Sequence, residues 1–149
     1  MDLRELYQEM ILDHNRHPRN RHAMEDATTH ADGNNPLCGD QITVYLRVED
    51  GIVREASFEG HGCAISTASA SMMTEAVVGK TREEAEAMFE TFRHAVTEDG
   101  AELPETADFE KLQVLSGVKE FPMRVKCATL PWHTLHAALE GEDTPVSTE

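Results

Sequence analysis

The residues from Gln41 to Glu59 place the strongest constraint on the fold, because two strand-like segments flank a tight-turn signal. Residues 41–49 alternate apolar and polar side chains, which is the period of a strand with one buried face. Asp50-Gly51 is typical of a two-residue hairpin turn, and residues 52–59 supply a returning strand. We therefore predict an antiparallel hairpin whose two outer ends lie side by side.

Helical patterns surround this hairpin on both sides. The N-terminal segment is amphipathic, and Asp2 with Glu5 resembles a capping pair. Residues 66–78 predict a helix that stops at Gly79, and Thr81 with Glu84 forms a capping box that opens another helix. Residues 98–108 predict a surface loop, and the apolar residues between 109 and 115 predict one short helix before Gly117.

The last predicted helix covers residues 124–139 and contains a proline. Pro131 would clash with the carbonyl of Cys127 in a regular helix, so we expect a kink or a helix that starts after Cys127. The residues from Gly141 to Glu149 predict a disordered tail. At 149 residues the chain fits one domain, spanning residues 1–149.

Three cysteines far apart in the chain carry the strongest chemical signal. They are Cys38, Cys63 and Cys127, and Asp40 follows two residues after the first. Three thiolates and a carboxylate form a complete tetrahedral ligand set for zinc. The predicted hairpin brings Cys38 close to Cys63, and Cys63 precedes a helix N-terminus, where backbone N–H groups favour a thiolate.

An ordinary alternative exists for these cysteines, since unpaired cysteine is often simply a small buried hydrophobe. The local sequence favours a shared site. Gly39 can adopt a positive φ that turns Cys38 and Asp40 toward one point, and we expect Gly62 to do the same beside Cys63. Asp40 after a glycine also fits a plain turn residue.

Charge and hydropathy exclude several classes of partner. The chain has 28 acidic and 13 basic residues and a formal net charge of −15. Such a surface repels nucleic-acid phosphate and anionic membranes. The absence of a long apolar run, with an acidic N-terminal helix, predicts a soluble cytoplasmic protein. Without an obvious exposed apolar stripe, we expect a monomer or a weak dimer.

Four segments together resemble the SufU and IscU iron–sulfur cluster assembly proteins, whose domain is similar to the NifU N-terminal domain. The resemblance runs from about Leu6 to Leu139. Its motifs are residues 11–14 with 18–20, residues 35–40, residues 60–71 and residues 124–130. It implies an α+β fold of the SufE/IscU type, with a small antiparallel sheet packed against several helices.

Two features resemble the SufU branch more than the scaffold branch. Lys126 stands where the IscU scaffolds have a histidine directly before their third cysteine. The stretch from Gly79 to Glu120 resembles an insertion that distinguishes SufU from the shorter scaffold. The resemblance therefore implies a zinc-dependent sulfurtransferase.

In that branch zinc would be held by Cys38, Asp40, Cys63 and Cys127. Cys38 would be the catalytic residue, accepting persulfide sulfur from a SufS-type cysteine desulfurase while a partner histidine replaces it on the zinc. Sulfur or clusters would then pass to downstream acceptors. The carboxylate of Asp40 should make the site exchange ligands more readily than an all-cysteine site.

Two alternatives stay open. The same residues could hold an iron–sulfur cluster on a scaffold, or zinc could be purely structural. Around the site, Arg124 and Lys126 could steady the anionic centre or contact the desulfurase, or they could be solvated cations. His61 could be a further ligand, although a loop position fits it better.

Overall fold

A four-stranded sheet forms the centre of the part of the chain that the structure describes. The structure is a computed structural model, and it describes residues 3–37, 39–98, 101–141 and 145–148. The strands are β1 Thr29–Asn35, β2 Asp40–Glu49, β3 Ile52–His61 and β4 Val146–Ser147. Their order is β3-β2-β1-β4, antiparallel except for the parallel pair of β1 and β4.

The predicted hairpin is confirmed as β2 and β3. Asp50 and Gly51 have φ values of 54° and 75°, as the twist of a two-residue turn requires. The buried face of β2 contains Val44 and Leu46, both 0% exposed. The apolar residues that alternate along this strand in the sequence are therefore the ones that face the core. The pairing register shifts between Arg47 and Val48, close to the turn.

Helices cover the sheet, which confirms the predicted α+β class. They are α1 Leu3–Arg16, α2 Ala64–Val77, α3 Arg82–Thr97 and α4 Pro122–Glu140. The small side chains of α2 are buried, since this helix packs against α1, α4 and β3. In turn α4 packs against β1, β2 and α3. Trp132 of α4 and Phe92 of α3 stack with their ring centroids 5.0 Å apart, and both rings are fully buried.

The region between α3 and α4 differs from the single short helix that was predicted. It contains two 3₁₀ helices, Ala107–Phe109 and Lys111–Glu120. Leu112, Leu115 and Val118 are all buried. This period of three matches a 3₁₀ helix, which has three residues per turn, better than an α-helix.

Pro131 lies inside α4, which continues from Pro122 to Glu140. The expectation that the helix starts after Cys127 is therefore wrong, and its first turn begins with a proline, where a missing N–H costs nothing. Pro131 cannot donate to the carbonyl of Cys127, as for any proline within a helix. The buried apolar face of α4 maintains the helix across this point.

The two ends of the chain also depart from expectation. Val146 and Ser147 pair with Gly33 and Asn34, so part of the segment expected to be disordered from about residue 141 is a strand. The expected N-cap, Asp2, lies outside the described residues. Within the described ranges, no helix is both long and apolar enough to span a lipid bilayer.

Candidate metal centre

Three side chains from three different elements meet at one end of the hairpin. Asp40 is the first residue of β2, Cys63 is the N-cap of α2, and Cys127 lies in the first half of α4. One carboxylate oxygen and the two sulfur atoms all lie within 4.8 Å of one another. The structure thus brings together three of the four predicted ligands.

Direct contacts join Asp40 to Cys63. The backbone N–H of Cys63 donates to Asp40 Oδ1 at 2.9 Å, and Cys63 Sγ lies 3.7 Å from Oδ2. Asp40 is 1% exposed, so its carboxylate is shielded from bulk water. One oxygen therefore fixes the backbone before α2, while the other faces the sulfur as a ligand would.

The prediction that Cys63 precedes a helix N-terminus is confirmed. Its backbone is extended, with φ −71° and ψ 170°, and its sulfur accepts a hydrogen bond from Ser66 N at 3.5 Å. Ser66 Oγ donates to the carbonyl of Cys63 at 3.2 Å. The N-terminus of α2 thus presents its backbone N–H groups and the positive end of the helix dipole to this sulfur.

Two glycines shape the site in different ways. Gly39 has φ of 75°, as predicted. Gly62 does not have the positive φ that was expected, and its role is to leave space. A β-carbon on Gly62 would lie 2.8 Å from Asp40 Oδ1 and closer still to Ser66 Oγ. The missing side chain is therefore what permits the carboxylate to sit under Cys63.

Cys38 lies outside the described residues, so its place in the site remains a prediction. Its neighbours belong to the connection between β1 and β2. The N–H of Gly39 donates to the carbonyl of Asn35 at 2.9 Å, and that of Leu37 donates to Asn35 Oδ1 at 3.1 Å. Leu37 is 61% exposed, so this connection lies at the protein surface.

Three further residues lie close to these candidate ligands in the sequence. Arg124 places its guanidinium 4.5 Å above the ring of Phe121, and Lys126 is half-buried. His61 is exposed at the end of β3 and pairs with Gln41. Within the described part of the chain, the cluster of potential ligands contains Asp40, Cys63 and Cys127 and does not include His61.

The donor set fits a zinc ion. Zinc takes thiolate sulfur and carboxylate oxygen in tetrahedral sites, and two thiols and a carboxylate converge here. Cys127 is 4% exposed whereas Cys63 is exposed, so the centre has a buried side and an open side. A fourth ligand would complete it.

A second group of potential ligands was missed at the sequence level. Glu86 of α3 meets His136 and Glu140 of α4, and one ligand atom of each lies within 4.8 Å of the others. Burial raises the pKa of Glu86, and the neighbouring Glu140 raises it further against the opposing effect of His136. The sequence signal for this group was the four-residue spacing of His136 and Glu140, which places them one helical turn apart.

The fold and this site define a small α+β protein with a candidate cysteine–carboxylate metal centre. Residues 6–129 match the family model of the NifU-like N terminal domain. The chain belongs to that family.

Curated relatives cover nearly the whole chain. It is 42% identical over 138 residues to the zinc-dependent sulfurtransferase SufU of Bacillus subtilis, covering 93% of this chain and 92% of that protein. It is 41% identical over 140 residues to the iron–sulfur cluster assembly scaffold protein IscU of Thermotoga maritima, covering 94% and 96%. Both similarities exceed the level needed to infer a shared fold and family.

Solved structures agree with this assignment. An iron–sulfur cluster assembly scaffold protein for the SUF system from Fervidobacterium islandicum superposes with a TM-score of 0.79 at 35% identity, covering 93% of this chain and 99% of that one. The N-terminal part of a NifU-like protein from Brucella abortus gives a TM-score of 0.83 at 25% identity, covering 92% and 94%.

Proposed function

We propose that this protein is a zinc-dependent sulfurtransferase that accepts persulfide sulfur from a cysteine desulfurase for iron–sulfur cluster biogenesis. The observation that carries the proposal is the convergence of Asp40, Cys63 and Cys127, whose ligand atoms lie within 4.8 Å of one another. Cys38 stands two residues before Asp40 and supplies the remaining thiol. The 42% identity to a zinc-dependent sulfurtransferase supports the same conclusion.

Zinc would be held by Cys38, Asp40, Cys63 and Cys127. When bound, it would keep the sulfur atoms as thiolates and shield them from oxidation. The protein contributes the remaining conditions. Asp40 and Cys127 are buried, and the N-terminus of α2 stabilises negative charge at Cys63.

The transfer step requires a nucleophilic thiolate at Cys38. This thiolate attacks the terminal sulfur of the desulfurase persulfide, forming a new S–S bond on Cys38. The S–S bond on the desulfurase breaks, and its electron pair leaves with the desulfurase cysteine as a thiolate. The transfer reaction is balanced, because one persulfide is exchanged for another without an added oxidant or reductant.

The exposure of the residues on either side of Cys38 favours it over Cys127 as the acceptor, while Cys63 is exposed as well. The adjacent Leu37 is 61% exposed and Gly39 is also exposed, whereas Cys127 is 4% exposed. A desulfurase must bring its persulfide into contact with the accepting sulfur. The surface connection between β1 and β2 can meet that requirement, and the buried face of α4 cannot.

The partner in this proposal is a SufS-type cysteine desulfurase in the cytoplasm. Sulfur would pass from Cys38 to downstream acceptors, and the protein would act as a single domain that is a monomer or a weak dimer. The net charge of −15 supports the expectation of no nucleic-acid partner. Light scattering during size-exclusion chromatography measures the oligomeric state directly.

The second candidate is a scaffold on which an iron–sulfur cluster is assembled. It is favoured by the 41% identity to an IscU scaffold protein and by cysteine thiolates, which also ligate iron–sulfur clusters. Elemental analysis of protein purified without oxygen separates the two. About one zinc per chain without sulfide supports transfer, and iron with matching sulfide supports the scaffold.

The decisive experiment measures sulfur on Cys38. The zinc-loaded protein is incubated with a SufS-type desulfurase and cysteine, and peptides are analysed by mass spectrometry. We expect faster desulfurase turnover and one extra sulfur atom on the Cys38 peptide, released by a thiol reductant. Cys38→Ser should abolish both effects.

Two controls sharpen this result. Circular dichroism must show that Cys38→Ser keeps the fold, and a chelator-treated sample tests the need for zinc. The proposal fails if the extra sulfur resides on Cys63 or Cys127, or if Cys38→Ser still stimulates the desulfurase. A protein whose zinc is purely structural would unfold without metal and leave desulfurase activity unchanged.

A further inference from the structure

A second set of metal-binding side chains lies between α3 and α4, apart from the thiolates. Glu86 comes from α3, and His136 and Glu140 come from α4. His136 is nine residues beyond Cys127, or roughly 13 Å along a helix axis. The two groups therefore occupy opposite halves of α4 and share no residue.

The geometry brings three different donors to one point. His136 Nδ1 lies 3.0 Å from Glu86 Oε2, and Glu140 lies one turn after His136 on the same helical face. One ligand atom of each residue lies within 4.8 Å of the others. Ligands spaced by four residues on one helix are a common way to hold a metal, and a third from a facing helix completes such a set.

One carboxylate oxygen in this group lacks a hydrogen-bond donor. Glu86 Oε1 is buried and has no hydrogen-bond partner among the described residues. The two carboxylates of Glu86 and Glu140 can share a hydrogen bond only if one of these acids carries a proton to donate. Two carboxylates thus face a single imidazole, and a cation would satisfy the buried oxygen and offset the excess negative charge.

The histidine ring is held in place by an aromatic neighbour. The rings of His136 and Phe89 stack with centroids 5.0 Å apart and an angle of 17° between their planes. Phe89 is 3% exposed, so it forms a fixed wall for the imidazole. The position of the nitrogen ligand is therefore set by packing on the core.

We propose that Glu86, His136 and Glu140 form a second binding site for a divalent cation of the zinc class. An imidazole with two carboxylates suits Zn²⁺ or Co²⁺ better than Mg²⁺ or Ca²⁺, which prefer sites made entirely of oxygen. Three protein ligands leave a coordination position for water. A bound cation would join α3 to the helix that carries Cys127.

The chain contains a matched control for this site. His94 and Glu98 on and just after α3 have the same residue types and spacing as His136 and Glu140, with His94 Nδ1 3.2 Å from Glu98 Oε2. Within the described residues they do not belong to a cluster of three potential ligands. His94→Gln therefore removes an equivalent surface histidine without touching the proposed site.

Calorimetric titration with Zn²⁺ on the full-length protein tests the proposal. We expect two binding events, a tight one that Cys63→Ser weakens and a weaker one that Cys63→Ser leaves in place. Loss of an outer-shell partner already reduces metal affinity about 10–100-fold, so Glu140→Gln and His136→Gln should reduce the weaker event at least that much. His94→Gln should leave both events unchanged.

A spectroscopic measurement distinguishes the two sites. Co²⁺ in the second site should shift the imidazole NMR signals of His136 without the charge-transfer absorption that thiolate ligands produce. The proposal is overturned if no Zn²⁺ binding event survives Cys63→Ser with its affinity unchanged, if the weaker event keeps its affinity in both site variants, or if His94→Gln weakens it equally. None of these results bears on sulfur transfer, which is read at Cys38.

Discussion

At the scale of single residues, the candidate centre depends on the two carboxylate oxygens of Asp40, which have different partners. Oδ1 accepts the N–H of Cys63, and Oδ2 faces the sulfur. The same side chain therefore positions one candidate ligand and is itself another. The sequence indicated Asp40 as a ligand through its place after Cys38-Gly39, but its hydrogen bond to Cys63 depends on the tertiary fold.

Gly62→Ala tests whether the space under Cys63 matters. The added carbon would lie 2.8 Å from Asp40 Oδ1, so the carboxylate or the start of α2 must move. We expect zinc affinity to fall about tenfold or more, measured by competition with a chromophoric chelator. Gly117→Ala is the control, because a β-carbon there meets nothing within 4 Å. Equal zinc affinity in the two variants would show that the spacing is not needed.

At the scale of elements, α1 is joined to α2 through a buried histidine. His14 Nδ1 lies 2.7 Å from Ser71 Oγ, which also accepts the N–H of Arg19 at 2.9 Å. Burial lowers the pKa of His14 from 6.5, and the nearby Arg19 adds to this effect. The neutral imidazole is therefore the form that the packed helices contain.

Folding stability should fall as the pH is lowered through the pKa of an unfolded histidine. Below about 6.5 the unfolded chain binds a proton at His14 while the folded protein does not, which favours unfolding. Urea denaturation between pH 7.5 and pH 5, roughly the range in which histidine titrates, measures the slope of the unfolding free energy against pH. His14→Gln should reduce the slope.

Part of the pH dependence of the unfolding free energy should remain in His14→Gln, because a second histidine also contributes to it. Burial also lowers the pKa of His133, so the slope in His14→Gln should decrease without reaching zero. His17→Gln serves as the matched control, because His17 is exposed at the end of the same segment. An unchanged slope in His14→Gln would contradict the assignment to this contact.

The N-terminus of α3 is held by the capping box that the sequence predicted. Glu84 N donates to Thr81 Oγ1 at 3.1 Å, and Thr81 N donates to Glu84 Oε1 at 3.0 Å. Thr81→Ala should lower the free energy of unfolding by about 1 kcal/mol, measured in urea. Thr106→Ala is the control, since Thr106 precedes a 3₁₀ helix without a side-chain cap. Equal losses in both variants would argue against the cap.

The elements that a few neighbouring residues specify were predictable from the sequence. The elements that depend on contacts with distant parts of the chain were not. The hairpin turn at Asp50-Gly51 and the Thr81 cap depend only on residues that are close together in the sequence. The sequence of β1, THADGNN, lacks an alternating apolar pattern, and this strand exists because it pairs with β2 and packs on α4. The cluster of Glu86 with His136 likewise depends on how α3 meets α4.

At the scale of the whole molecule, the net charge of −15 should make stability depend on salt. The screening length falls from about 10 Å at 0.1 M to about 3 Å at 1 M, so salt reduces repulsion among surface carboxylates. We expect the thermal midpoint to rise with NaCl over this range. Replacing the exposed Glu102 and Glu105 with lysine should diminish the rise, and a midpoint that falls with salt would contradict this account.

The short strand β4 has a consequence for association between molecules. It covers the edge of β1 at Gly33 and Asn34, where the N–H of Thr148 donates to the carbonyl of Asn34 at 3.2 Å. An uncovered strand edge offers its backbone to the sheet of another molecule. A chain shortened to Gly141 would present that edge immediately before the Cys38 connection, so aggregation and loss of access to the proposed sulfur acceptor would arise together.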